Sequence, residues 1–257
     1  MIEIIKAVVL GIIQGLTEFL PVSSSGHLVL YQYILNVNLG EALFFDVMLH
    51  IATLAAVVVY FRKDILQLIK FPLKKEVRFL ILSAIPAALA AFLLRDLLED
   101  TFNGIKILPY TFLITAAVLL FADYYLKRGK QNTEINIKST SFMGVAQALA
   151  LLPGLSRSGF TISGGIFSGL NKDEAARFSF LMSIPIIFGS ALFETISLFS
   201  VNAQQKTDFL PLFFSMIFAF VFGLIAIKYM LNVVKKAGFK VFSAYLFLLS
   251  LFIILFL

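Results

Sequence analysis

Six stretches of this chain, residues 42–61, 77–98, 107–126, 175–200, 209–230 and 239–257, are apolar over roughly the twenty residues a helix needs to cross about 30 Å of hydrocarbon. Two further apolar stretches, 2–35 and 142–170, are interrupted near their middles. The first breaks at Pro21 with Ser23, Ser24, Ser25 and Gly26; the second breaks at Pro153 and Gly154 with Ser156, Arg157, Ser158 and Gly159. A break frees backbone N–H and C=O groups, which are tolerated at membrane depth only where protein buries them or they line a wet cavity. The expected architecture is an all-α polytopic membrane protein with six full transmembrane helices plus two re-entrant helix hairpins, one transmembrane domain over residues 1–257.

Composition excludes the main alternatives. Apolar residues make up 60% of the 257 and charged residues 14%, whereas a soluble domain sits near 45–50% apolar and about a quarter charged. With no cysteine there is no disulfide, thiolate nucleophile or Cys-ligated metal. Only His27 and His50 are present and no HExxH occurs, which argues against a His-rich zinc site. Phosphate, hydroxyl and carboxylate chemistry remain. The N-terminus carries Glu3 and Lys6, and Gln14 and Glu18 interrupt the first apolar run, so no cleavable targeting segment is expected.

The net charge of +6 is better explained by membrane orientation than by nucleic acid, because Lys and Arg gather in three short stretches. Residues 62–78 hold six, 127–141 four and 228–240 four; 27–41 hold none, 95–106 two and 201–208 one. Positively charged loops stay on the cytoplasmic side. That puts the first three stretches inside, provided each broken segment returns to the side it entered from, the first hairpin from outside and the second from inside.

An internal repeat supports this layout. Gly11-x-x-Gln14-x-Leu16 recurs as Gly144-x-x-Gln147-x-Leu149 at an offset of 133; Leu20-Pro21-x-x-Ser24 matches Leu152-Pro153-x-x-Ser156 after a one-residue deletion; Glu41-Ala42 and Phe45 match Glu174-Ala175 and Phe178, again at 133. Three full spans lie between the copies, so the halves, approximately 1–126 and 142–257 joined by a cytoplasmic loop 127–141, form an inverted repeat, an arrangement that meets around a site near the midplane.

Reactive side chains concentrate at the two breaks. Gln14 and Glu18 are four apart and share a helix face. A charge at the bilayer centre costs roughly 2.5–3.5 kcal/mol, so Glu18 needs a cationic, metal or hydrogen-bonding partner. It acts as a metal ligand or acid/base group, or else staples the broken helix. Ser23, Ser24 and Ser25 open a half-helix whose free N–H groups favour an anion; they could serve only as caps. His27, three residues after Ser24, is placed to supply the base or cation that makes a serine hydroxyl a useful nucleophile, the alternative being a buried hydrogen-bonding group. In the second break Arg157 stands among Ser156, Ser158 and Thr161. A forked, always-charged guanidinium among hydroxyls fits phosphoryl oxygens, the alternative being an arginine that snorkels to the interface. Gly165-x-x-x-Gly169 reads as close helix packing. Asp46 and His50, four apart, are either packing glue or functional partners.

Together, Gln14-Gly-Leu-Thr-Glu18-Phe-Leu-Pro21-Val-Ser-Ser-Ser-Gly26-His27 and Pro153-Gly-Leu-Ser-Arg157-Ser-Gly-Phe-Thr161 resemble the undecaprenyl-pyrophosphate phosphatase (bacitracin-resistance protein) family, over nearly the whole chain. The family's first motif carries Glu or Gln, three residues, then Glu; with Gln14, this chain keeps one carboxylate, Glu18. The resemblance implies hydrolysis of undecaprenyl pyrophosphate to undecaprenyl phosphate and inorganic phosphate, with Mg2+ or Ca2+ as cofactor. It implies that Ser24 attacks the terminal phosphorus, that His27 manages protons, and that Arg157 with Ser156, Ser158 and Thr161 holds phosphoryl oxygens. Glu18 and Gln14 would hold the metal, with Ser23 and Ser25 beside the substrate. The implied partners are the polyprenyl pyrophosphate lipid and membrane lipids, with room for a homodimer; the implied location is a bacterial plasma membrane with the site reached from the outer face. A second membrane-phosphatase pattern, echoed in Ser25-Gly26-His27 and Ser156-Arg157, fails downstream at Ser163 and Phe167. The reading from another class is an inverted-repeat transporter or lipid flippase, since broken half-helices also build transporters.

Overall fold

The computed structural model describes residues 2–37, 42–94, 105–127, 131–200, 209–236 and 238–257. Glu41 of the repeat and the segments 95–104, 128–130 and 201–208 lie outside them. The described chain is helical: α1 (Ile2–Phe19), α2 (Ser24–Ile34), α3 (Ala42–Tyr60), α4 (Arg62–Lys70), α5 (Lys75–Leu93), a 3₁₀ turn (Ile105–Ile107), α6 (Leu108–Leu126), α7 (Ile137–Leu149), α8 (Arg157–Phe167), α9 (Lys172–Ser200), α10 (Phe209–Lys236) and α11 (Lys240–Phe256).

Four helices are long and apolar enough to cross a membrane: Lys75–Leu93, the segment Ile105–Leu126 that joins the 3₁₀ turn to α6, Lys172–Leu192 within α9, and Phe209–Val234 within α10. A fifth is the pair Phe44–Tyr60 and Arg62–Lys70, bent by 78°. The remaining expected span, α11, is apolar but 17 residues long. Six full spans are therefore not reached among the described residues. The bend at Phe61 also replaces what the sequence presents as the start of a polar loop. No proline or glycine stands there; the cluster Arg62-Lys63-Asp64 follows directly, and a helix that meets charges at the end of an apolar run leaves the hydrocarbon. Arg177 of α9 holds α4 through an ion pair with Asp64 and lies 3.6 Å from Glu174.

Both interrupted stretches form a helix, a break and a second helix: α1 and α2 in the first, α7 and α8 in the second. α1 packs along α10, and α7 along α5. Gly11 and Gly15 make the first contact close: a Cβ at Gly11 would stand 2.2 Å from the Ser215 carbonyl oxygen, and one at Gly15 2.6 Å from that of Ala219. Gly144, 133 residues after Gly11, lies in the same way against the Ser83 carbonyl, 2.9 Å from its would-be Cβ. A pair of packing glycines thus sits at Gly11-x-x-x-Gly15. Gly165 does touch Ala175, but Gly169 has φ 100° beyond the end of α8 and ends the helix there.

Gly11→Ala is expected to destabilise the protein by about 3 kcal/mol, because a backbone carbonyl cannot yield as a side chain can. Thermal unfolding in detergent, with Gly189→Ala as the control, checks this; Gly189 has nothing within 4 Å of its would-be Cβ.

Candidate active site

The two breaks face each other. The chain leaves α1 at Phe19, turns through Leu20-Pro21-Val22 with the Val22 N–H donating to the Leu20 carbonyl at 2.8 Å, and re-enters a helix at Ser24. In the second break Gly154 has φ 85° and lies against Thr111, whose Oγ1 would be 1.9 Å from any Cβ added there. A Cβ on Gly26 would come within 2.8 Å of Gly154 Cα, so the glycines let the two turns touch. Ser158 Oγ closes the contact by donating to the Leu20 carbonyl at 3.0 Å.

The caps repeat. Ser23 Oγ accepts from the Gly26 N–H at 3.3 Å and Ser156 Oγ from the Gly159 N–H at 3.1 Å; Ser25 and Ser158 sit 3.3 and 3.2 Å from these cap hydroxyls. Ser23 and Ser156 are therefore equivalent at an offset of 133, and the one-residue deletion read from Ser24 and Ser156 does not describe the caps. Ser23 adopts φ 71°, a conformation that costs a non-glycine residue energy and is held by the packed turn. The cap residues Ser23 and Ser156 are buried and spend their hydroxyls on the helix starts. Thr161 is likewise committed, donating to the Arg157 carbonyl at 2.8 Å and pairing with Ser179 Oγ at 2.6 Å.

This leaves Ser24 and Arg157, one residue past each cap, facing a common group. Glu18, 5% exposed, accepts from Ser24 Oγ at 2.6 Å through Oε2 and pairs with the Arg157 guanidinium through Oε1. Gln14 Nε2 donates to the same Oε2 at 3.0 Å. The acid that the sequence required to have a partner thus has three, drawn from α1, α2 and α8. A carboxylate that already accepts the Ser24 hydrogen can take that proton, and the guanidinium beside it can bind an oxyanion at the nucleophile.

His27 is buried at the same turn but is not bonded to Ser24. Its Nδ1 lies 2.7 Å from the Ser23 carbonyl oxygen, an acceptor, so Nδ1 carries the hydrogen; Nε2 lies 2.7 Å from the Tyr245 hydroxyl. The two rings stack, centroids 5.7 Å apart. Tyr245, on α11, escapes sequence reasoning because its only local signal is a tyrosine in an apolar helix, and its partner is 218 residues away.

Asp46 and His50 also differ from a side-chain pair. The imidazole Nδ1 bonds the Asp46 backbone carbonyl at 2.7 Å, while the Asp46 carboxylate accepts from Gln32 Nε2 of α2 at 2.8 Å. His50 Nε2 points instead toward Glu18 Oε2, 3.6 Å away. Among the described residues no three His, Cys, Asp or Glu side chains gather as a metal site. Gln14 Oε1, however, is buried and accepts no hydrogen bond, and an orphaned amide oxygen beside a carboxylate suits a hard divalent cation.

Comparison with known proteins follows this geometry. The sequence model of the family described as bacitracin resistance protein BacA matches residues 7–252. Three curated relatives bear the name undecaprenyl-diphosphatase. The one from Christiangramia forsetii is 43% identical, covering 99% of this chain and 98% of its own. The one from Carboxydothermus hydrogenoformans is 40% identical, with 97% and 95% covered. The one from Halothermothrix orenii is 38% identical, with 98% of each covered.

Proposed function

The chain belongs to the bacitracin resistance protein BacA family, and on that footing we infer that it is an undecaprenyl-diphosphatase. It is a membrane phosphatase that hydrolyses undecaprenyl diphosphate, consuming one water, to undecaprenyl phosphate and inorganic phosphate. This returns the lipid carrier to cell-wall synthesis.

The observation that carries a mechanism is the shared carboxylate: Ser24 donates to one oxygen of Glu18 and Arg157 pairs with the other. In the proposed reaction Ser24 Oγ attacks the terminal phosphorus. Its proton goes to Glu18, the bond to the bridging oxygen breaks, and undecaprenyl phosphate leaves with that oxygen. Water then attacks the phosphoserine, releasing inorganic phosphate and restoring the serine hydroxyl. Arg157 holds the phosphoryl oxygens as charge builds on them, which is most of what phosphoryl transfer asks of a protein. His27, held by Ser23 and Tyr245, completes the turn and manages protons from its far side.

Glu18 and the Gln14 amide oxygen are the proposed holders of a divalent cation, Mg2+ or Ca2+. When bound, such an ion supplies charge neutralisation at the pyrophosphate oxygens. The two helix–break–helix units are proposed to be re-entrant and related as an inverted repeat. Support comes from the repeated caps and from the exchange of packing, Gly11 on Ser215 and Gly144 on Ser83. The site is proposed to open toward the outer face of a bacterial plasma membrane.

Detergent-purified protein is expected to release phosphate from undecaprenyl diphosphate and to lose that activity on chelation, with recovery when Mg2+ or Ca2+ returns. No release by folded protein across a metal and pH series would overturn the reading.

A further inference from the structure

His50 is not used by this mechanism, yet it is fixed with care. Nδ1–H donates to the Asp46 carbonyl at 2.7 Å, which in the neutral ring leaves Nε2 with a bare lone pair. That lone pair looks at Glu18 Oε2 from 3.6 Å, too far for a hydrogen bond. In the neutral ring two electron-rich atoms face each other across this gap. Beside them Gln14 Oε1 is buried and accepts nothing, while its amide nitrogen lies 3.0 Å from the same Glu18 oxygen. Half a turn of that amide exchanges nitrogen for oxygen and sets a third lone-pair donor at the gap.

Such spacings are those of ligands sharing an ion. With metal–ligand bonds of about 2.2 Å, neighbouring donors stand about 3.1 Å apart at a right angle and about 3.6 Å apart at the tetrahedral angle. The tether on the far side of the ring has the same meaning. Metal-ligating histidines almost always donate their other N–H to a carbonyl or carboxylate, which fixes the tautomer and aims the ring. The support extends one step further, because Gln32 of α2 holds the Asp46 side chain at 2.8 Å and so pins this turn of α3 to the helix that carries Ser24.

We propose that His50 Nε2 is a third protein donor, with Glu18 Oε2 and Gln14 Oε1, for the site's divalent cation, which takes one lone pair of Oε2 while the Ser24 hydroxyl keeps the other. This rests on the reading above that Glu18 and Gln14 hold that cation, and it adds a consequence that reading lacks. An imidazole nitrogen favours a later first-row ion such as Co2+ or Ni2+ over the oxygen-seeking Ca2+. The cation is then held by α1 and α3, leaving Arg157 of α8 to the phosphoryl oxygens.

The test is pulsed electron paramagnetic resonance on the full chain in detergent loaded with Mn2+ alone. A directly bound imidazole gives nitrogen modulation that changes when histidine is supplied as the ¹⁵N form. The chain has two histidines, so one substitution assigns the signal. The expected result is modulation in the wild type and in His27→Gln, none in His50→Gln, and Mn2+ affinity at least about 10-fold weaker in His50→Ala. His50→Gln keeps an oxygen donor, and its thermal unfolding reports folding separately. Mn2+ that binds, is lost in Glu18→Gln, and shows no nitrogen modulation would overturn the role of His50 while leaving the Glu18 cation site standing. Mn2+ binding that is absent, or indifferent to Glu18→Gln, would overturn both.

Discussion

Arg157→Ala is expected to lower phosphate release by about 10²–10³-fold, the usual consequence of removing one charge-stabilising donor, and to destabilise the fold by about 3–5 kcal/mol. The two losses have different origins. The second arises because Glu18 is 5% exposed and Arg157 is the permanently charged cation paired with it, so truncation strands a buried carboxylate. A double-mutant cycle separates them. In Glu18→Gln with Arg157→Ala the stranded charge is gone, and thermal unfolding in detergent should recover most of the lost stability. Phosphate release should not recover, because the phosphoryl oxygens still lack their guanidinium and Ser24 now lacks its base as well. Arg157→Lys should hold stability better than alanine, since a charge remains, while losing the forked geometry that matches two phosphoryl oxygens at once. If Arg157→Lys, which leaves Glu18 intact, instead kept full activity along with stability, Arg157 would be a structural counter-ion and its forked geometry would not be what holds the phosphate.

How much of this was legible beforehand depends on the range of the interaction. The breaks after Phe19 and Leu149 could be read because Pro, Gly and Ser act on the backbone within a few residues. The need of Glu18 for a partner could be read because a charge in hydrocarbon is costly wherever it lies. Its identity could not, since Arg157 is 139 residues away, and no local pattern encodes which break will meet which. The Ser24 and His27 pairing failed for a local reason. Three residues apart on a helix is a neighbourly spacing, but Ser24 is the first helical residue and the imidazole is drawn back to the Ser23 carbonyl, four before it. The serine then finds the carboxylate at the end of the preceding helix. The bend between α3 and α4 was hidden for the opposite reason. Nothing in the backbone chemistry of Phe61-Arg62 forces it, and the contact that holds α4 in place, Asp64 with Arg177, spans 113 residues. The GxxxG signal held at Gly165, whose would-be Cβ stands 2.9 Å from that of Ala175, and not at Gly169, which is needed for its backbone angle and not for its missing side chain.

Ser24→Ala is expected to have the larger effect on chemistry, a fall in phosphate release of about 10⁴-fold or more, with little change in stability. Loss of a nucleophile is not made up by the groups that served it. Ser24 is partly exposed, and removing its hydrogen bond to Glu18 leaves that carboxylate still paired with Arg157 and Gln14. The buried cap is the neighbouring Ser23, not Ser24, so the helix start survives the change. The measurement that gives the number its meaning is rapid-quench turnover with substrate labelled in the terminal phosphate. Label should appear on the peptide containing Ser24 before free phosphate does, and should be absent from the alanine variant. Direct attack by water predicts otherwise. No label would be trapped at any time, and the variant would keep most of its rate because Glu18 and Arg157 could still activate and receive. The 2.6 Å contact between Ser24 and Glu18 is what favours the covalent route. A water activated by Glu18 would have to displace a hydroxyl that already occupies the attacking position, and that hydroxyl is itself a competent nucleophile once its proton has moved to the carboxylate.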